Sequence, residues 1–424
     1  MSDAAPRRRP RVLVTDASRG SALSIIRSLG RRGFDVLAAD PSRLSPGMYS
    51  RYATARFVYP NPVRQPAAAV DALVNAARDR QIDLLIPVND ETILPLSDAR
   101  SRFDRICRLA LPSAAALNRV IDKHATLELA ADAGVPAPRS YLVRNAAEGE
   151  ELGARMGWPV VLKPRASKLY LRERSIESFA VTYAEDREQL IQQLRRFEGR
   201  SEILLQEYCR GEAHGVGVLF RDGEPLVAFQ HRRLHEVPLT GGGSSFRESV
   251  ALNATLFDYA VRLLAPLRWT GPAMVEFKMT SDGPKLMEIN GRPWGSLPLA
   301  VKSGVDFPGL WADLFVPFPN EARIPPLGSY SLRVRSRNLE LELIWIASVL
   351  LRGRRYRFEE RHRRLEAIVA ALRLFYPRDG YDVLEPSDPV PAAIEIARIL
   401  RTSLRMLRAS RPGAVMPRRI TGSS

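Results

Sequence analysis

Two alternating runs facing each other across a tight turn constrain this chain more than any other feature. Met274–Met279 and Lys285–Asn290 each alternate apolar and polar residues, and Ser281-Asp282-Gly283 between them reads as a turn. Alternation of that kind is the period of a strand with one wet face, so an antiparallel hairpin is predicted. Glu288, Asn290 and Arg292 share one side of it, because strand side chains repeat every two residues, and Glu276 brings a second acid. Two carboxylates and an amide oxygen are hard ligands of the kind Mg²⁺ takes alongside phosphate oxygens and water, while Arg292 suits a bidentate phosphate or carboxylate contact. Glu276, Glu288 and Asn290 are therefore the candidate metal ligands, with Mn²⁺ as a substitute ion. On the hairpin alone, an exposed ribbon with solvated charges explains the pattern equally well.

Other segments supply complementary parts in order. Val160-Val161-Leu162-Lys163-Pro164 is an apolar strand ending in a lysine, and Ile203–Tyr208 is another that runs into a polar hinge. Asp122-Lys123 stands before a helix over 125–133, followed by Gly134-Val135-Pro136-Ala137-Pro138. This succession resembles the ATP-grasp superfamily across roughly Arg11 to Pro308, and in particular its carboxylate–amine ligases.

The resemblance implies an ATP-grasp fold, two α+β halves clamping ATP, and it implies roles. Lys163 would contact the α- and β-phosphates and Lys123 would be the second phosphate-facing lysine. The hinge Gln206, Glu207, Tyr208 and Cys209 would read adenine, and Glu212 and His214 fall where ribose is held. Beyond the resemblance, the polar run and the three glycines favour Arg232 or Arg233 near the γ-phosphate under a flap at Gly241–Ser245, with His231 on the nucleotide side. Exposed groups on a surface hairpin account for the same polar run. Three of the five histidines lie between His214 and His235, which invites a zinc reading, but no i,i+4 helical spacing aligns them. One departure stands out: the run from Arg165 to Ser175 contains no glycine, so Ser167, Lys168 and Arg172 are the candidate donors for covering phosphates.

Upstream, short apolar strands at Val12–Val14, Asp35–Asp40, Phe57–Tyr59, Ile82–Pro87 and Ile106–Leu111 alternate with helical stretches, which predicts a parallel α/β sheet. Asp40, about 20 residues after the first loop, invites a dinucleotide reading, yet Asp16-Ala17-Ser18-Arg19-Gly20 lacks the glycine spacing that pyrophosphate approach requires. Asn89-Asp90-Glu91 sits at a strand's carboxyl end, where such sheets bind ligands; helix capping is the plainer explanation.

The expected fold class is thus α/β: a Rossmann-like domain over 1–112, an ATP-grasp domain over 113–324 with a small lid subdomain near 140–210, and a basic, mainly helical extension over 325–424 whose tail from Pro412 is disordered. Ser331 to Ser424 carries 19 arginines against 10 acids. Arg352–Arg364 and Arg401–Arg419 are candidate contacts for an anionic membrane face or an acidic partner, with a solvated helix face as the plain alternative. The net charge of +16 comes almost wholly from arginine, with only six lysines. Such a skew points to genome composition more than to nucleic acid, and no nucleic-acid motif accompanies it. Where arginine is the default base, Lys123 and Lys163 stand out as places wanting a compact ammonium. Two cysteines, no secretory signal and no apolar run of membrane-spanning length place the chain in the cytoplasm. The expected function is ATP- and Mg²⁺-dependent activation of a small-molecule carboxylate as an acyl phosphate, then capture by an amine, with Lys163, Arg292 and Arg232 or Arg233 as the catalytic set. A homodimer is compatible with this. A non-catalytic ATP-binding regulator or assembly protein that keeps the fold is the alternative.

Overall fold

The structure, a computed structural model, describes residues 8–166, 168–171, 175–178, 180–197, 201–317, 322–352, 356–359 and 362–409. At the N-terminus β1 (Arg11–Val14), β2 (Asp35–Asp40), β3 (Ala55–Val58), β4 (Leu84–Ile86) and β5 (Arg108–Leu109) form a parallel sheet in the order β3-β2-β1-β4-β5. Parallel neighbours need crossovers, and helices Gly20–Arg31, Pro66–Asp79 and Asp90–Asp98 provide them. Alternation splits the strands between two cores: Val12 and Val14 pack with the first helix, Leu13 and Leu85 with the second.

The turn after β1 is built around an acid. Asp16, at φ 58°, is buried and accepts hydrogen bonds from Thr15 Oγ1 (2.6 Å), Thr92 Oγ1 (2.8 Å) and the amides of Val88 (3.1 Å) and Asn89 (3.0 Å). Asp40 accepts from the amides of Ser18 and Ser42, each at 2.8 Å. The acid that a dinucleotide reading would aim at a ribose is engaged by the loop's own backbone.

Next come β6 (Ser140–Val143), β7 (Val160–Pro164), β8 (Lys168–Leu171), β9 (Ser175–Ser178), β10 (Thr182–Ala184) and β11 (Ile203–Glu207). Four of them make an antiparallel sheet, β10-β7-β11-β6. Val143, Leu162, Leu190 and Leu205 share the core beneath helices Ala146–Met156 and Arg187–Arg195. The alternate residues Val161, Lys163 and Gln206, with Tyr183 opposite Val161, therefore occupy the other face. The glycine-free run after Lys163 is a separate hairpin, β8 with β9; Ser167 and Arg172 lie outside the described residues.

The largest sheet holds β12 (Glu212–Arg221), β13 (Glu224–Val237), β14 (Gly243–Val250), β15 (Gly271–Thr280), β16 (Gly283–Asn290), β17 (Arg335–Arg337) and β18 (Asp379–Tyr381), in the order β16-β15-β12-β13-β14-β17-β18. One face packs Val216, Val218, Val275 and Phe277 against helix Ala254–Leu264, in a core continuous with Leu13 and Leu85 of the N-terminal sheet. The other packs Leu219, Phe229, Met274 and Trp294 with helices Leu297–Lys302 and Phe307–Asp313.

The residues after 325 are more than a helical appendage. Besides helices Leu339–Ala347, Arg364–Leu372 and Val390–Ala409, they add β17 and β18 to the central sheet. Part of their arginine excess is interior. Arg337 pairs with Asp379 at 2.7 Å, the side chains 0% and 2% exposed, and lies 3.9 Å over the Phe246 ring. Asp382 pairs with the buried Arg247 and accepts from Ser336 Oγ at 2.7 Å. The tail expected to be disordered, from Pro412, lies outside the described residues, and no described helix is long and apolar enough to cross a membrane. Removing one member of a buried pair leaves an uncompensated charge, at about 3–5 kcal/mol. Asp382→Asn should therefore lower the unfolding free energy measured in urea by an amount in that range, whereas an unchanged value would show that the segment is not anchored through Arg247.

Candidate active site

Strand register assembles the hairpin half of the site. Glu276 lies opposite Glu288 and Met274 opposite Asn290, with an irregularity beside Glu276 that leaves Met287 as the extra residue of β16. A bulge re-aims backbone, and here the Met287 carbonyl accepts from Lys163 Nζ at 3.5 Å. Asn290 Nδ2 donates to Glu276 Oε1 (3.0 Å) and Glu288 Oε1 (3.2 Å). Arg233 comes from β13 on the same face and ion-pairs with Glu276 and, at 2.9 Å, with Glu236.

The opposing half brings two lysines. Asp122 caps helix Lys123–Asp132, accepting from the amides of His124 (2.9 Å) and Ala125 (3.2 Å). Arg165, just past β7, donates through Nε to Asp122 at 2.8 Å, and its carbonyl accepts from the Lys123 amide at 2.9 Å. That double tie holds the end of the Lys163 strand against the start of the Lys123 helix.

The electrostatics are those of a site crowded with both signs. Burial pushes the Glu276 carboxyl up to about 7; Arg233 opposes the shift and the Glu288 charge reinforces it. Burial acts on Glu288 as well, but Lys123 and Lys163 outweigh it and hold that carboxyl below its ordinary range. Both ammonium groups are pushed down by burial and drawn back by Glu288. Arg292 Nε donates to both oxygens of Asp90, at 3.0 and 2.9 Å. Asp90 begins the helix after β4, so this pair joins the carboxyl edge of the N-terminal sheet to the hairpin. Asn89 precedes that helix without a side-chain cap bond.

The hinge is ordered by charge. Glu207 pairs with Arg139 (2.9 Å) and Lys285 (2.7 Å). Burial works against its ionisation, yet these partners hold its carboxyl at about 2. Gln206 Nε2 donates to Ser140 Oγ at 2.8 Å, Lys278 Nζ lies 5.7 Å from the Tyr208 ring centre, and burial pushes the Cys209 thiol up.

Residues 199–337 match the family described as ATP-grasp in the biosynthetic pathway with Ter operon. The fold is similar to the biotin carboxylase domain dimer of Hydrogenobacter thermophilus 2-oxoglutarate carboxylase, solved with MgADP, ADP and bicarbonate. That likeness has a TM-score of 0.59 at 15% identity over 77% of this chain and 73% of that one. It is also similar to Staphylococcus aureus N5-carboxyaminoimidazole synthetase complexed with ADP, with a TM-score of 0.58 at 13% identity over 77% and 80%. The fold is of the ATP-grasp type. In sequence, the chain is 24% identical to the formate-dependent phosphoribosylglycinamide formyltransferase of Ignicoccus hospitalis, over 63% of this chain and 66% of that protein. The match spans less than two thirds of the curated relatives' own length, at 41% and 66%.

Not every residue singled out in the sequence reaches the ATP-grasp cleft. Arg232 and Arg233 are neighbours on one strand and must point to opposite faces. Arg233 joins Glu276, whereas Arg232 pairs on the far side with Glu248 (2.8 Å) and Glu212 (3.3 Å). His214 shares that far side, between Glu212 Oε1 (2.5 Å) and Gln230 Nε2 (2.9 Å). Glu212, His214 and Arg232 are thus separated by the sheet from Glu276 and Glu288. His231 has the right parity but is 0% exposed, with Nε2 3.1 Å from Ser296 Oγ, and burial holds its pKa well below the ordinary value. It is an interior residue rather than a nucleotide contact.

The zinc reading also falls away. His235 stacks on Trp345 at 3.7 Å and bonds Glu342 at 2.9 Å, and among the described residues no group of three or more His, Cys, Asp and Glu could hold a metal. The flap expected at Gly241–Ser245 is half strand, since β14 starts at Gly243. Gly241 takes φ 104°, and a Cβ on Gly242 would meet the Val237 carbonyl at 2.6 Å, which is why the turn is glycine.

What remains in the cleft is two carboxylates and an amide beside Lys123, Lys163, Arg233 and Arg292. This donor set fits a hard divalent cation with a polyphosphate. Like-charged Glu276 and Glu288 converge on one edge, and turning the Asn290 amide over would present its oxygen beside them. The sequence did not single out Arg139, Arg165, Lys278 or Lys285 as site residues, and it offered Asp90 only within a strand-end run for which helix capping was the plainer explanation. Lys278 and Lys285 did carry a signal, because lysine is scarce here and they face one another across the hairpin.

Proposed function

We propose that this chain is an ATP- and Mg²⁺-dependent ligase that activates a carboxylate as an acyl phosphate and joins it to an amine. The observation that carries the reading is the convergence of Glu276, Glu288 and Asn290 with Lys123, Lys163 and Arg233, drawn from separate sheets into one cleft. Glu276, Glu288 and Asn290 are the residues to hold Mg²⁺, which when bound neutralises the charge of a transferring phosphoryl group. Lys163 and Lys123 bind phosphate oxygens as compact charges. Arg233 takes the γ-phosphate role that the sequence leaves open between it and Arg232. Arg292, oriented by Asp90, faces the carboxyl edge of the N-terminal sheet, where an α/β layer places its ligand, and is assigned to the substrate carboxylate. No side-chain nucleophile is required, because phosphoryl transfer to a carboxylate is chiefly a matter of position and charge.

The formate-dependent relative and the neighbour solved with bicarbonate favour a small carboxylate. We assign residues 1–112 to the acceptor side and 113–324 to the nucleotide clamp. We also place the protein in the cytoplasm, in keeping with its free Cys107 and Cys209. The test is phosphate release from MgATP by the full chain against a matrix of carboxylates and amines, with product masses read in parallel. Release should require a carboxylate–amine pair and yield a product equal to their sum less water. Tight MgATP binding with turnover indifferent to every pair would instead favour a non-catalytic nucleotide-binding protein.

A further inference from the structure

The cleft has a polar end and an aromatic end, and the second is partly built by a segment beyond the matched family region, 199–337. Tyr183 shares a face of the smaller antiparallel sheet with Val161 and Lys163. Lys163 identifies that face as the one turned to the hairpin, through its contact with Met287. Tyr208 lies in the hinge, directly after β11. Phe358 packs against both rings, its centroid 5.3 Å from Tyr183 and 4.6 Å from Tyr208, and Tyr356 stacks on it at 5.1 Å and 25°. Phe358 is 7% exposed. The segment is fixed to the lid side, because the Arg357 amide donates to Glu185 Oε1 at 2.5 Å. The same C-terminal region reaches the glycine turn, where Trp345 and Ile346 pack with Val237 and Leu239.

We infer that Phe358 forms the base-side wall of the nucleotide site, so that the C-terminal region contributes a residue that contacts the purine. This rests on the nucleotide reading of Lys163 and Glu288. A cleft with paired ammonium groups and carboxylates at one end and aromatic rings at the other matches a ligand that is polyphosphate at one end and a flat heteroaromatic at the other. Every base has a π-face for such a ring. Glu207 and Lys278 beside Tyr208 supply polar groups for the base edge. The ATP-grasp halves supply Tyr183 and Tyr208, and the extension completes the wall.

The test compares binding of MgATP and of magnesium tripolyphosphate to the full-length protein and its variants. Phe358→Leu keeps apolar bulk but loses the ring. It should weaken MgATP at least about fivefold, the lower bound for the loss of one base–aromatic contact, and leave tripolyphosphate unchanged. Phe358→Trp should stay near wild type. Equal weakening of both ligands would mean general loosening and overturns the inference. Unchanged MgATP affinity overturns it too, and so does tighter MgATP binding, which would identify the segment as a plug across the cleft. If Phe358→Leu does not fold, hydrogen exchange in wild type decides: MgATP should protect residues 356–359 and tripolyphosphate should not, and equal protection overturns it. A wild-type protein that binds neither ligand removes the nucleotide reading itself. Intact binding lost in Lys163→Ala but unaltered in Phe358→Leu removes only the wall.

Discussion

Glu288→Gln should leave a folded protein in which the proposed ligase turnover falls by orders of magnitude. Glu288 faces Glu276 across the hairpin, accepts from Asn290 at 3.2 Å, and is kept ionised by Lys123 and Lys163 against the pull of burial. Glutamine preserves the outline of the side chain while removing the negative ligand. Its amide also sets an N–H₂ group against the Asn290 donor and the two ammonium groups. On the proposed metal assignment, a hard divalent cation would lose one of its two carboxylates, and charge neutralisation on the phosphoryl group would fail with it. The fold should survive, because Glu288 borders a cleft and the apolar neighbours Leu286 and Ile289 carry the packing of β16. Circular dichroism and the denaturant midpoint check the fold, and phosphate release with the native substrate pair checks the chemistry. Unchanged turnover in a folded Glu288→Gln protein would sink the metal assignment.

How far the site could be read in advance follows from the range of the interactions. The hairpin was legible because alternation and turn are both local, and β15 and β16 bracket the anticipated Ser281-Asp282-Gly283 turn. Lys163 at the end of an apolar strand was legible for the same reason. Choosing between Arg232 and Arg233 was not. Parity says only that they diverge, and the face is fixed by register with β12 and β15, which brings Gly215 opposite both His231 and Glu276. Histidines close in sequence were misleading for that reason, since His214 and His231 fall on opposite sides of one sheet. The Arg292–Asp90 pair spans 202 residues, a separation at which no local pattern carries information. β17 and β18 are three residues each, too short for any period, and nothing local marks Arg337 as interior, since its partner Asp379 lies 42 residues away. The part of the site drawn from one hairpin was readable, and the part drawn from tertiary contact was not.

Lys163→Ala should strip most of the stabilisation that MgATP confers while barely changing stability without nucleotide. The second half follows from opposed effects: burial disfavours the ammonium and Glu288 favours it, so deleting the group relieves one cost and forfeits one attraction. Among the described residues its one hydrogen bond is long, 3.5 Å to the Met287 carbonyl, so little structural bonding is lost. With nucleotide the balance changes. A hydrogen bond from a charged donor is worth about 1.5–3 kcal/mol, or roughly 10- to 150-fold in affinity. Ligand-linked stabilisation depends on the ratio of concentration to Kd, so the thermal shift at fixed MgATP should shrink accordingly. Lys163→Arg should restore only part of it, since a planar fork cannot take the place of a compact charge among several phosphate oxygens. Lys123, tied to the same corner through Arg165, remains in both variants, which is why the loss should be large but not complete. Equal MgATP-induced shifts in wild type and Lys163→Ala would mean that the strand lysine does not meet the phosphates, and the nucleotide would have to be placed elsewhere in the cleft.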